Sequence, residues 1–393
     1  MKPPIFNKLN SLIGIILMMV VFIVPISYTT LTIPTTASDA GHDNYSLEKT
    51  DIAKLIYNKK VRQIDSFLHK HHQTINFQGN VMVVYKNNLI YNQSFGYSNP
   101  EQNTSLTEDH VFQLASITKQ FTAMGIMILK ERGLLSYSDS VHQYIDHFPY
   151  RDITIRQLLN HTSGLANYMW LLEHHWNKDR PPYNDDLMDL LARYQLNLYF
   201  KPGTRFSYSN TGYVVLASVI ENVTGMRYDE FMEEHIFTPL NMEDTYVFST
   251  AYGENPHSHL NGYRQWGRYF RSIPPTINDG TVGDKGIYSS ITDLYKWDKG
   301  LYENKLFSEE TKMEAFQSLE LQNGNHYPYG FGFRLKETNG KKRVYHYGKW
   351  NGFRTGIIRF IEDTSTIIIL NHTDRPYNSR ITKNIDKILH ETS

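Results

Sequence analysis

The chain of 393 residues contains no cysteine. That absence excludes disulfides, thiolate nucleophiles and cysteine-ligated metal centres, and also a lipid-modified cysteine behind a leader segment. Charge of one sign is lacking too: 40 lysines and arginines balance 40 aspartates and glutamates. No overall field draws the chain to nucleic acid. Neither H-E-x-x-H nor G-x-S-x-G occurs, which leaves zinc-protease and α/β-hydrolase readings without support. Internal repeats and low-complexity tracts are also missing. The composition, 40% hydrophobic and 20% charged, is that of a globular protein with room for a large core. The length admits one large domain or two to three average ones.

One long apolar run is present, at the N-terminus. Lys2 and Lys8 precede Leu12 to Val24, a signal-like arrangement closed by Pro25 and Ser27. Thr36-Ala37 or Asp39-Ala40 offers a small-residue cleavage site. The run is shorter than the about 20 residues of a spanning helix, although continuing it to Ile33 approaches that length. Residues 1–40 are therefore expected to be a signal peptide or an N-terminal membrane anchor, 41–50 a linker, and 51–393 an exported working domain. The expected location is periplasmic or extracellular, with membrane contact through the N-terminal segment alone.

Periodicity orders the rest. Ile52, Leu55, Ile56, Ile64, Phe67 and Leu68 recur at helical spacing. Val81 to Tyr85 and Leu89 to Phe95 read as strands joined at Lys86-Asn87-Asn88. Phe121, Met124, Met127 and Ile128 mark a helix ending at Gly133. Further helices are expected at Arg156–Asn160, Asn184–Tyr194 and Val214–Val223, the last stopped by Gly225. Strands return at Tyr329–Leu335 and Val344–Tyr347 around Asn339-Gly340, a hairpin signal. Thr355–Phe360 and Thr366–Leu370 follow, then a helix carrying Ile381, Ile385, Ile388 and Leu389. The expected fold is α+β: an antiparallel sheet flanked by N- and C-terminal helices, with a mostly helical lobe (roughly 121–275) inserted.

Three motifs carry chemistry. Ser116-Ile117-Thr118-Lys119 puts a hydroxyl and an amine on one helical face. Serine needs a neighbouring base, and a lysine serves as one only when neutral, which burial favours. The pattern alone is weak, since Ser46-Leu47-Glu48-Lys49 repeats it in a polar segment. Tyr208-Ser209-Asn210 follows Pro202-Gly203; the same spacing also occurs from Tyr85, Tyr97 and Tyr302. His346-Tyr347-Gly348, followed by Lys349, lies on an expected strand, where the glycine would let a substrate backbone pair against the edge.

In order and rough spacing these motifs resemble the penicillin-recognising serine hydrolases: class C β-lactamases, D-alanyl-D-alanine carboxypeptidases and related esterases. Leu158-Leu159-Asn160-His161-Thr162-Ser163-Gly164-Leu165, Phe206-Ser207-Tyr208-Ser209-Asn210 and Gly283 to Trp297 share the likeness, which spans roughly residues 50–393. The resemblance implies the β-lactamase/transpeptidase-like fold and an acyl-enzyme mechanism without cofactor. Ser116 would be the nucleophile, and Lys119 and Tyr208 would handle protons, the tyrosine activated by nearby positive charge. Asn210 would orient the substrate amide, His346 and Gly348 would bind substrate, and the amides of Ser116 and Lys349 would form an oxyanion hole.

Two departures stand out. Histidine occupies position 346 where β-lactamases carry lysine; its charge would vary with pH near neutrality, which disfavours rapid β-lactam turnover. No Glu-x-x-Leu-Asn stretch is present to activate a deacylating water. Other histidines have plainer readings: His161 as a loop brace, and His69, His71, His72 and Glu173-His174-His175 without the spacing of a zinc set. Asn210 also reads as a helix cap. The expected function is acyl-enzyme hydrolysis of a D-amino-acid peptide, ester or β-lactam-like substrate, small or peptidoglycan-derived. The alternative is a single-turnover or non-catalytic sensor or scaffold of cell-wall fragments on the same fold.

Overall fold

The computed structural model describes residues 49–253, 259–338 and 341–390. The leading apolar run, most of the linker with Ser46, and the Asn339-Gly340 turn lie outside them.

After helix α1 (Lys49–Ile75) come β1 (Gly79–Tyr85) and β2 (Asn88–Phe95). Lys86 and Asn87 between them both take positive φ, 50° and 63°, the backbone of a tight primed turn matched to strand twist. The helical block holds α2 (Thr118–Glu131), α3 (Ile155–Leu159), α4 (Asn184–Tyr194), α5 (Asn210–Thr224) and α6 (Ile291–Tyr302). It also holds a hairpin, β3 (Tyr263–Trp266) and β4 (Tyr269–Ser272). Strands β5 (Arg334–Thr338), β6 (Lys341–Trp350), β7 (Phe353–Phe360) and β8 (Ser365–Asn371) lead to α7 (Asn378–His390).

The main sheet runs β5-β6-β7-β8-β1-β2, antiparallel at every step. The last strand of the chain, β8, lies beside the first, β1. On one face Val81, Val83, Ile367 and Ile369 pack with Ile64 and Leu68 of α1 and Ile381 and Ile385 of α7. The alternate residues Met82, Ile357, Ile368 and Leu370 join the larger core of the helical block. Side chains alternate across a strand, so a sheet covered on both faces buries its strands throughout; β8 is buried at every residue, with Ile367 to Leu370 apolar without a break.

Two expectations need correction. Tyr329–Phe333 is loop rather than strand, and β5 begins at Arg334. The inserted block also contains a small sheet of Phe112–Gln113, Ile287–Ser289 and Tyr246–Val247, besides the β3–β4 hairpin. Strands of two to four residues are too short to show a period in sequence.

Candidate active site

A buried chain segment reaches the surface at one atom group. From Val111 to Leu129 every residue is buried except Ser116, which is half-buried. Ser116 sits in a single tight turn, Ala115–Ile117, that runs straight into α2. Ala115 before it has φ +51°, a left-handed conformation rare for a residue with a Cβ. That turn lifts Ser116 out of the buried segment.

Lys119 lies one turn on, fully buried. Its Nζ donates to the Asp284 carbonyl at 2.7 Å and to Ser116 Oγ at 3.2 Å. It also stands 5.1 Å from the Tyr208 ring centre and 5.6 Å from that of Tyr213. Burial lowers its pKa to about 8; the Asp284 carboxylate opposes that shift and the Arg334 charge adds to it. A lysine tuned this close to neutrality can accept a proton from serine.

Tyr208 and Asn210 flank the start of α5. Ser209 caps the helix, its hydroxyl accepting from the Gly212 amide. Asn210 is therefore not the cap, and its side chain is left to other work. Its Oδ1 and the Tyr208 hydroxyl are both sealed from solvent, with no satisfying hydrogen-bond partner among the described residues. Each such buried, unpaired atom calls for an explanation, and these two lie on the motif beside Ser116 and Lys119. The Ser116 hydroxyl lies close enough to draw the Tyr208 pKa down but not in a geometry that satisfies the phenol. Burial dominates and raises that pKa, with Ser116 and Arg334 opposing. Tyr208 therefore rests as the phenol, contrary to the expectation that nearby positive charge would activate it.

The third motif is built differently from its sequence reading. A Cβ at position 348 would lie 2.2 Å from the Leu114 carbonyl and 3.1 Å from the Ala115 Cβ. Gly348 is thus required by the loop bearing Ser116, before any substrate is considered. Thr355 Oγ1, on the paired strand, donates to the same Leu114 carbonyl at 2.7 Å. Lys349 has an exposed side chain on the opposite sheet face, opposite Arg354. Only its backbone remains near Ser116.

His346 is 1% exposed, and burial, reinforced by Lys119 and Arg334, lowers its pKa to about 3. It stays neutral at physiological pH, so the expected pH-dependent charge is corrected. Its contacts fix the tautomer. Nδ1 lies 2.8 Å from the Tyr347 carbonyl, which can only accept, so Nδ1 carries the proton. Nε2 then accepts from the Tyr329 hydroxyl at 3.2 Å. That hydroxyl accepts in turn from His161 Nε2 at 2.9 Å, because His161 Nδ1 is occupied accepting the Ser209 amide at 3.1 Å. Burial, then Lys119, holds His161 well below the ordinary histidine pKa. His161 is indeed a loop brace, with φ +61°, but the brace runs from the Tyr208 loop to the strand of His346.

Three contributors escaped the sequence reading. Asp284 supplies both a carbonyl to Lys119 and a carboxylate that accepts from Lys285 at 3.3 Å and Tyr168 at 3.1 Å. Tyr329 links the two histidines. Arg334 stands 5.3 Å from the Tyr208 ring and has no ion-pair partner among the described residues. Gly332 allows this placement, because a Cβ there would lie 2.5 Å from the Lys119 carbonyl. The Gly283–Trp297 likeness was the only sequence signal for Asp284. His69 and His72 do ordinary work, contacting Asp65 and the Phe77 carbonyl respectively.

Comparison with known proteins shows the family. The family model described as Beta-lactamase matches residues 68–390. A penicillin-binding protein of Bacillus subtilis (strain 168) is 36% identical over 326 residues, 80% of this chain and 72% of that one. A D-aminopeptidase of Brucella canis is 27% identical over 323 residues, 78% of this chain but 59% of its own length. The solved structure of an octameric penicillin-binding protein homologue from Pyrococcus abyssi superposes with a TM-score of 0.72 at 27% identity, covering 84% of this chain and 77% of that one.

Proposed function

This chain belongs to the β-lactamase family of serine hydrolases, and from that premise we propose that it is an exported hydrolase of D-amino-acid peptides or esters. The observation that carries the reading is Lys119, buried between Ser116 Oγ and the Asp284 carbonyl with a pKa of about 8.

Ser116 Oγ attacks the substrate carbonyl, and its proton passes to neutral Lys119 as the O–C bond forms. The tetrahedral oxyanion is met by the backbone amides of Ser116 and Lys349. As the C–N or C–O bond breaks, the proton moves from Lys119 through Tyr208 to the leaving amine or alkoxide. Water then attacks the acyl-enzyme, giving its proton back along the same groups, and the acid and free Ser116 are released. Asn210 Oδ1 accepts from a substrate amide N–H. Arg334, rather than neutral His346, supplies the positive charge for a substrate carboxylate.

Turnover of D-Ala-D-Ala peptides, p-nitrophenyl esters and nitrocefin by the purified protein tests this. The reading expects peptide or ester hydrolysis to exceed nitrocefin hydrolysis. Fast nitrocefin turnover would make the protein a β-lactamase instead. An acyl adduct that persists with no turnover of any substrate would make it a single-turnover sensor.

A further inference from the structure

The hairpin β3–β4 presents an outer face that the fold does not use. Its register places Arg264 directly opposite Arg271, and Trp266 opposite Tyr269. All four point outward, and Trp266 and Tyr269 are 51% and 80% exposed. Arg268, in the turn, is exposed as well. Like charges directly across a ribbon repel, and a two-stranded ribbon has little stability to spare. Among the described residues only Asp374 pairs with this face, 4.0 Å from Arg264. No aspartate or glutamate occurs from His259 to Asn278, in a chain whose total charge is balanced.

The inner face shows that this orientation is fixed. Tyr263 and Gln265 are buried, and the Tyr263 amide donates to the His372 carbonyl at 2.8 Å. The Gln265 side chain donates to the Asn76 carbonyl at 3.0 Å, and the Gln265 backbone N–H donates to Asp374 Oδ1 at 3.1 Å. The hairpin therefore cannot roll over to bury its aromatics.

We propose that the Arg264, Trp266, Arg268, Tyr269, Arg271 face docks on an anionic phospholipid bilayer. Tryptophan and tyrosine favour the headgroup level, where each ring is half apolar and half hydrogen-bonded. Arginine next to them pairs with lipid phosphate, and Arg264 already lies 5.8 Å from the Trp266 ring. Each arginine near an anionic surface strengthens docking roughly fivefold, so three amount to about 100-fold. This contact is additional to any made by the N-terminal segment, and it does not depend on the chemistry at Ser116.

The test follows Trp266 fluorescence in the full chain reconstituted into vesicles, with brominated lipids as quenchers. The difference between wild type and Trp266→Phe isolates the hairpin from the other tryptophans. Quenching of that difference signal is expected with anionic lipid, and little in purely zwitterionic vesicles. The triple variant Arg264→Gln, Arg268→Gln, Arg271→Gln is expected to lose it while keeping wild-type hydrolysis of a soluble ester, which certifies folding. Absent quenching, or quenching equal in both lipid types or retained by the triple variant, would overturn the proposal. So would a Trp266 response to soluble polyphosphate without one to vesicles, which would assign the face to an anionic polymer.

Discussion

The Lys119 ammonium nitrogen lies 2.7 Å from the carbonyl oxygen of Asp284. This contact holds the amine beside Ser116 with no carboxylate bonded to it, so burial is free to lower its pKa. Acylation requires the neutral amine. The acylation rate, measured by stopped flow with an activated ester, is expected to rise tenfold per pH unit below about 8 and level off above it. Removing the Asp284 charge (Asp284→Asn) takes away the influence that raises this pKa, so the limb should move to lower pH. A limb that stays in place would mean that another group is the base.

The histidine chain predicts an acid response of the fold. His346 is depressed to about 3 when folded, against about 6.5 unfolded. Between those values the unfolded chain binds the extra proton, so stability is complete above about 6.5 and falls as pH drops toward 3. His161 is shifted in the same direction. Urea unfolding in 0.5-unit steps, an interval of roughly 0.7 kcal/mol for one fully coupled proton, checks this. His346→Gln should flatten the slope. Tyr329→Phe leaves His161 Nε2 without an acceptor and His346 Nε2 without a donor, and should cost about 1–3 kcal/mol per stranded group.

Ala115 tests the turn that presents Ser116. Its left-handed backbone costs about 1–2 kcal/mol relative to glycine. Ala115→Gly should therefore keep acylation within about threefold, roughly 0.6 kcal/mol, without loss of stability. Ala115→Val adds β-branching at positive φ, against the tight approach of Gly348. It should abolish acylation or destabilise the fold; ester kinetics with urea unfolding separates these outcomes. Wild-type behaviour of the valine variant would show that the turn is not constrained.

Arg334 and Lys349 make a contrasting pair. Arg334 faces the site and lacks an ion-pair partner among the described residues, whereas the Lys349 side chain leaves on the other sheet face. Arg334→Ala should raise KM for a carboxylate-terminated substrate at least tenfold, about 1.4 kcal/mol, and spare a neutral ester. Lys349→Ala should change neither by more than about threefold. Steady-state kinetics on the two substrates would expose the reverse pattern.

How much of this could be read in advance depended on where each signal sits. Ser116 and Lys119 are three residues apart, and Tyr208 and Asn210 two, so their cooperation is written locally. The sheet was legible because β1 and β8 carry the unbroken apolar runs Val81 to Tyr85 and Ile367 to Leu370. Asp284 was hidden because its contribution to Lys119 is a carbonyl, which every residue has. Arg334 and Tyr329 become site residues only after β5 pairs with β6 and carries its preceding loop over Lys119. His346 read as a titrating group because sequence shows residue type, while the pKa is set by burial and by charges brought in from distant segments. The Lys349 side chain was no part of the sequence reading, which used its backbone amide; strand alternation sends that side chain to the face opposite His346.

The central claim is that Ser116 forms the acyl bond with Lys119 as its base. Intact-mass analysis after mixing with a penicillin, followed by peptide mapping, addresses it directly. The account predicts an adduct with the mass of the whole penicillin, because ring opening expels nothing. It should map to the peptide bearing Ser116, be absent in Ser116→Ala, and form at least about 1,000-fold more slowly in Lys119→Ala, a barrier increase of roughly 4 kcal/mol. An adduct on Ser116→Ala, or one formed at an unchanged rate by Lys119→Ala, would contradict it.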